Sequence, residues 1–197
     1  MGSNRTSRGE RTAARLREAA RAVFADRGYA VARVEDVVAE AGVSHGTFYT
    51  YYENKAAVLD ALIDATAADL QAVVDEPWEG TDTGRTIETV IARFIEVFSQ
   101  HADVMRVWLE ASAQEPHFRR RLRDVRTGYV HRVADQLAPS LHRTGHDPAV
   151  AAAALVAMVE GYATEGMTGD DPARRASVVR TLASLWFGGL LRLTEND

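Results

Sequence analysis

Between Ser44 and Lys55 the chain sets Ser44, His45, Thr47, Tyr49, Thr50, Tyr51 and Lys55 in close order, with Gly46 and Phe48 among them. These types at this spacing form no nucleophile–base pair and no pair of carboxylates. Their chemistry is hydrogen-bond donation. Tyrosine hydroxyls and an ammonium suit phosphate oxygens, and short polar side chains suit base edges. Glycine lets another backbone approach closely. Three of the 6 tyrosines lie here, and so does the single lysine of a chain with 23 basic residues. The stretch reads as a surface built to lie on a nucleic-acid backbone.

Little else in the 197 residues could do chemistry. With 0 cysteines there is no disulfide, thiolate metal site or cysteine nucleophile. His101, His117, His131, His142 and His146 show no metal-ligand spacing, since Gly145 and Pro148 put the last two in a turn. No glycine-rich phosphate loop, zinc motif or nucleophile elbow is present, so no catalytic residue, metal or cofactor is expected. The polar start carries no secretory signal, and the longest apolar run, 149–159, is too short to span a bilayer; a cytoplasmic protein without membrane contact is expected.

The net charge of −5 argues weakly against a nucleic-acid partner, but its distribution reverses the argument. Residues 1–33 carry eight arginines against three acids, whereas 56–197 carry fourteen arginines against twenty-one acids. A basic head on an acidic body is what a locally docking DNA binder presents.

The elements that must position these side chains are helical. Leu16, Ala19, Ala20, Val23 and Phe24 recur on one helix face, predicting a first helix over about 8–27 that Gly28 ends. Val34, Val37, Val38 and Ala41 predict a short second helix stopped by Gly42. Ser44 caps a third, and a fourth begins at Asn54 and Lys55. After a loop at 75–84, five more helices are predicted at about 85–100, 102–113, 116–138, 148–165 and 172–193, with Pro148 and Pro172 at first helical positions. The fold class is all-α with about nine helices. The second and third helices have the spacing of a helix-turn-helix, with Val43 plugging the angle between them. The third helix would then enter the major groove, with His45 and Thr47 at base edges and Gly46 permitting close approach.

Over about the first 60 residues the chain resembles the tetracycline-repressor (TetR) family of bacterial regulators. Ala19-Ala20, Phe24, Gly28-Tyr29, Val34, Asp36-Val37, Ala39, Ala41-Gly42-Val43-Ser44, Gly46-Thr47-Phe48-Tyr49, Tyr51-Tyr52, Lys55 and Leu59 carry the likeness. The resemblance implies base-edge contacts near His45, Gly46 and Thr47. It implies phosphate contacts from Ser44, Tyr49, Tyr51 and Lys55, with Thr50 a weaker candidate and Phe48 and Tyr52 packed inward. One departure stands out. The family's threonine or serine before the second helix is replaced by Ala32 and Arg33, and the missing cap is worth about 1 kcal/mol. Arg33 is the candidate that replaces its phosphate contact.

The resemblance implies a helix-turn-helix domain at 1–55 and an effector-binding and dimerisation domain at 56–197. Within the latter it implies a pocket for an apolar small molecule, with Phe94, Phe98, Met105, Trp108 and Tyr129 as candidate lining; plain core is the competing reading of those aromatics. Glu160 is read either as a polar group beside a ligand or as solvent-facing. Glu110 is assigned to the solvent side of its helix, and Arg119 to Arg123 to a solvated face. Ala154, Ala157 and Gly161, small enough for close helix approach, and the apolar stripe with Leu182, Trp186 and Leu190 form the candidate homodimer interface; service to the subunit's own core is the alternative.

The expected function is a ligand-responsive repressor, a homodimer on a pseudo-palindromic double-stranded operator, released by the effector. A DNA-binding regulator with no small-molecule effector, acting with a protein partner, is the alternative. A small helical enzyme or carrier lacks the catalytic groups it would need.

Overall fold

The computed structural model describes residues 3–78, 83–142, 145–165 and 172–190. Among the described residues there are nine helices and no strands: α1 Ser3–Arg27, α2 Val34–Ala41, α3 His45–Tyr51, α4 Lys55–Asp75, α5 Thr83–Gln100, α6 Ala102–Gln114, α7 Pro116–Leu141, α8 Pro148–Glu165 and α9 Pro172–Leu190. The all-α expectation holds. α1 begins five residues earlier than its apolar spacing predicts, because nothing in 3–7 breaks a helix. α7 runs past its expected end through Pro139, which removes one i→i−4 hydrogen bond in its last turn. The predicted end of α9 at 193 lies outside the described residues.

The chain divides into two compact units. The first holds residues 1–67 and 103–122; the second holds 68–102 and 123–197. The partition differs from the expected boundary after residue 55. The start of α4, nearly all of α6 and the first turns of α7 pack with the N-terminal helices, so a boundary drawn from the reading motif alone stops short.

In the first unit Leu16, Ala20 and Phe24 of α1 are buried with Val37, Phe48, Leu59, Trp108 and Phe118. Tyr29 sits edge-on between Phe24 and Phe118, at ring separations of 5.7 and 5.5 Å. The indole of Trp108 donates to the Phe118 carbonyl at 3.2 Å, which satisfies a buried polar group. In the second unit Ile91, Phe94, Tyr129, Val133, Leu155 and Trp186 are buried, and α5 packs on both α8 and α9.

Candidate nucleic-acid interface

The turn between α2 and α3 is built from the backbone outward. Gly42 takes a left-handed conformation (φ 59°) in which its N–H reaches the Ala39 carbonyl and that of Val43 reaches Val38 at 3.1 Å. A side chain would be strained there. Arg15 of α1 donates to the Gly42 carbonyl at 3.3 Å. Val43 is half-buried. The Ser44 hydroxyl then accepts the Thr47 N–H at 3.2 Å and lies 2.9 Å from the Thr47 hydroxyl, so the expected cap is present.

α3 has one inward side chain at its centre. Phe48 is fully buried, whereas His45, Gly46, Tyr49, Thr50 and Tyr51 are exposed and Thr47 is half-exposed. The Thr50 hydroxyl is spent on the Gly46 carbonyl at 2.9 Å. Tyr52 lies against Phe48 at 5.9 Å, half-buried, and its hydroxyl accepts from Arg17 at 3.4 Å. The exposed side chains thus share a seven-residue helix whose core anchor fixes its rotation. A Cβ built on Gly46 would meet only the Ser44 hydroxyl at 3.9 Å, an ordinary contact. The protein's own packing does not require glycine at 46.

Arg33 occupies the N-cap position of α2 and is exposed, with an extended backbone. An arginine side chain has no acceptor, so it cannot cap. Asp36 supplies the other half of the box: its carboxylate accepts the Arg33 N–H at 2.9 Å and pairs with Arg27 at 2.8 Å. The guanidinium of Arg33 is left facing outward.

Lys55 departs from the phosphate role that the resemblance implies. Its ammonium donates to the carbonyls of Tyr29, Ala30 and Ala32 at 2.7, 3.2 and 3.0 Å. It also lies 4.6 Å from the centre of the Tyr29 ring. An ammonium has three donors, and all three are engaged on the α1–α2 turn, leaving none for a phosphate.

The same turn receives a group whose sequence context points to solvent. Glu110 of α6 accepts the N–H of Tyr29 at 3.0 Å and of Ala30 at 3.1 Å. Gly28, at φ 77°, turns those amides outward, and a Cβ there would lie 3.0 Å from the Glu110 carboxylate. Glu115 accepts from the Tyr29 hydroxyl at 2.8 Å, Arg106 donates to the Ala25 carbonyl at 3.1 Å, and Arg21 grips Asp103 through two bonds of 2.6 and 2.8 Å. Burial opposes ionisation of Asp103, but hydrogen bonds from Arg21 and from backbone N–H groups outweigh it, and its carboxyl lies below the usual carboxylate range. Burial and the Glu115 hydrogen bond push the Tyr29 hydroxyl well above its ordinary value.

The arginine run differs in part from a solvated face: Arg121 pairs with Asp60 and Asp64, His117 also bonds Asp60, and Arg119 donates to the Ser112 and Ala113 carbonyls.

The candidate pocket residues fall into different units. Met105 and Trp108 belong to the first, in the core around Phe118, and are not among the residues lining the second unit's cavity. In the second unit Phe94 and Tyr129, 6.1 Å apart, line an almost wholly apolar cavity of about 40 Å³ with Val74, Trp78, Leu155 and Val159. Phe98 packs behind Phe94 at 6.2 Å. Glu160 is outside the lining and pairs with Arg126 at 2.9 Å; burial raises its pKa, against the opposing effect of Arg126.

The candidate interface residues also divide. Ala154, Ala157 and Gly161 are exposed along one face of α8, whereas Leu182 and Trp186 are buried within the chain's own second unit. The exposed large apolar side chains beside them are Val150 and Leu185, at 66% and 63%. The side chain of Leu190 lies outside the described residues. Among the described residues no helix is long and apolar enough to cross a membrane, and no group of His, Asp or Glu side chains could hold a metal ion.

Residues 16–62 match the description of bacterial regulatory proteins of the tetR family, and residues 85–185 match the C-terminal domain of BetI-type transcriptional repressors. The chain belongs to the TetR family. It is 30% identical over 144 residues to the HTH-type transcriptional repressor SCO4008 of Streptomyces coelicolor, covering 66% of this chain and 71% of that protein. Its fold matches Salmonella enterica GusR with a TM-score of 0.75 at 19% identity, over 92% of this chain and 95% of that one. It also matches the transcriptional regulator FadR from Bacillus subtilis, solved in complex with stearoyl-CoA, with a TM-score of 0.73 at 18% identity over 89% and 97% of the two chains. The chain is thus a TetR-family DNA-binding transcriptional regulator.

Proposed function

We propose that the protein is a homodimeric repressor that inserts α3 of each subunit into successive major grooves of a pseudo-palindromic operator and is released by an apolar effector. The observation that carries the DNA-reading part is the arrangement of α3, with Phe48 buried and His45, Gly46, Tyr49 and Tyr51 turned outward. His45, Gly46 and Thr47 are assigned to base edges. Ser44, Tyr49, Tyr51 and Arg33 are assigned to phosphates, with Thr50 at most a minor contact.

The exposed α8 stripe of Ala154, Ala157 and Gly161, flanked by Val150 and Leu185, supports association of two copies, because small residues let helices approach closely. The apolar cavity between α5, α7 and α8 supports an effector. At about 40 Å³ it is smaller than any drug-sized ligand, so an effector must bind a widened form and act by shifting the population toward it. The same small volume favours the second reading, a regulator with no small-molecule effector that works with a protein partner.

Binding of the purified protein to duplex DNA from upstream of its own gene tests the first part. Preference over random duplex at moderate salt is expected, and equal affinity overturns the proposal. Release of that complex by an apolar compound separates the two effector readings.

A further inference from the structure

The arginines of α1 divide into two groups. In its second half Arg21 and Arg27 are each held by a carboxylate, Asp103 and Asp36. In its first half Arg8 and Arg15 are exposed and meet no carboxylate among the described residues. Arg8, Arg11 and Arg15 recur at i, i+3 and i+7, which sets them on one stripe of the helix. Like charges at that spacing repel, so the stripe works against the helix unless an anion lies over it.

The stripe borders the reading motif. The Arg15 guanidinium donates to the Gly42 carbonyl at 3.3 Å, two residues before the Ser44 cap, and that bond uses one N–H of the fork. One position past Arg8, Gly9 faces the other end of α3: a Cβ there would lie 3.6 Å from the Tyr51 hydroxyl. The first turns of α1 thus flank α3 from its cap to its last residue, beside Ser44 and Tyr51, two of the residues assigned to phosphates. A guanidinium fork matches the geometry of a phosphate, and these two have donors to spare.

We propose that α1 is a second DNA-contacting element, in which Arg8 and Arg15 bind phosphates along the edge of the major groove that α3 enters. The inference rests on the placement of α3 given above and extends the interface beyond the helix-turn-helix. These contacts add affinity and fix orientation but carry no sequence preference. The bond to Gly42 holds the Arg15 guanidinium in position before DNA arrives.

The test uses the full-length protein with duplex DNA from upstream of its own gene and a random duplex, over a range of salt. Arg8→Gln and Arg15→Gln should each lower the slope of log affinity against log salt by about one, and the double variant by about two, with unchanged urea midpoints. Arg21→Gln, on the same helix but paired with Asp103, should lose stability and keep the slope. Ethylation of the backbone phosphates of the upstream duplex gives a second readout: fewer positions should block the double variant than block the wild type. A double variant with the wild-type slope and the wild-type set of blocking phosphates overturns the inference, and the reading of α3 stands if the upstream duplex is still preferred. A slope that falls only together with the urea midpoint, over an unchanged set of blocking phosphates, overturns it as well. Equal affinity of the wild type for the two duplexes overturns the reading of α3 and this inference with it.

Discussion

Glu110 and Tyr29, 81 residues apart in sequence, meet through the main chain: the carboxylate accepts the Tyr29 N–H at 3.0 Å, and the adjoining Ala30 N–H binds its other oxygen at 3.1 Å. On the same turn, Lys55 takes the carbonyls of residues 29, 30 and 32. The turn that leads into α2 is therefore held by an anion on its donors and a cation on its acceptors. That pairing sets where Arg33 and α2 begin, and through α2 the placement of α3.

Glu110→Ala should therefore destabilise the protein by about 2 kcal/mol, since it removes two charge-assisted bonds to a half-buried turn. Glu110→Gln, which keeps one acceptor, should cost roughly half as much. Urea denaturation gives the stability, and hydrogen exchange at the Tyr29 and Ala30 amides gives the locality. Unchanged exchange at both amides in Glu110→Ala would refute the clamp.

Lys55 and Arg33 should separate in their dependence on salt. Removing one phosphate contact lowers the slope of log affinity against log salt by about one. Arg33→Ala should show that decrease with unchanged stability, because Asp36 rather than the arginine side chain closes the start of α2. Lys55→Ala should lower stability and leave the slope as it was. A reduced slope in Lys55→Ala would mean that its ammonium leaves the turn when DNA binds.

Gly46→Ala should trade function for stability. The site accepts a Cβ without conflict, and alanine in place of an exposed helical glycine favours the helix by about 0.5–1 kcal/mol. If the missing side chain exists to admit DNA, the variant should be at least as stable as the wild type and bind its operator at least tenfold more weakly. Equal affinity, measured by fluorescence anisotropy, would remove residue 46 from the interface.

What was legible in the sequence follows from how local each signal is. The Ser44 cap and the Gly42 turn are decided within a few residues, and proline marked the starts of α8 and α9. Phe48 as anchor follows from the family likeness, and its burial agrees. The partners of α6 were not legible, because Arg21 with Asp103 and Arg106 with Ala25 join residues about eighty positions apart and need the packed helices to meet. Glu110 reads as a surface residue by composition, and only the left-handed Gly28 reveals two amides awaiting an acceptor. The resemblance places Met105 and Trp108 among the candidate lining, and their helical spacing does not say which unit their helix joins.

Glu160 should make stability depend on pH in one direction. Burial disfavours its charge, and Arg126 opposes that only in part, so the folded carboxyl holds its proton more tightly than the unfolded chain does. Protonation therefore favours folding. The contribution is fully present below the ordinary glutamate range and is lost as pH rises through the raised folded value. Glu160→Gln removes the ionisation while keeping nearly the same shape. The variant and wild type should be close in urea midpoint near pH 4, with the variant moving ahead as the pH approaches neutrality. If the wild type instead gains on the variant over that interval, the Arg126 pair outweighs burial and the direction assigned to Glu160 is reversed.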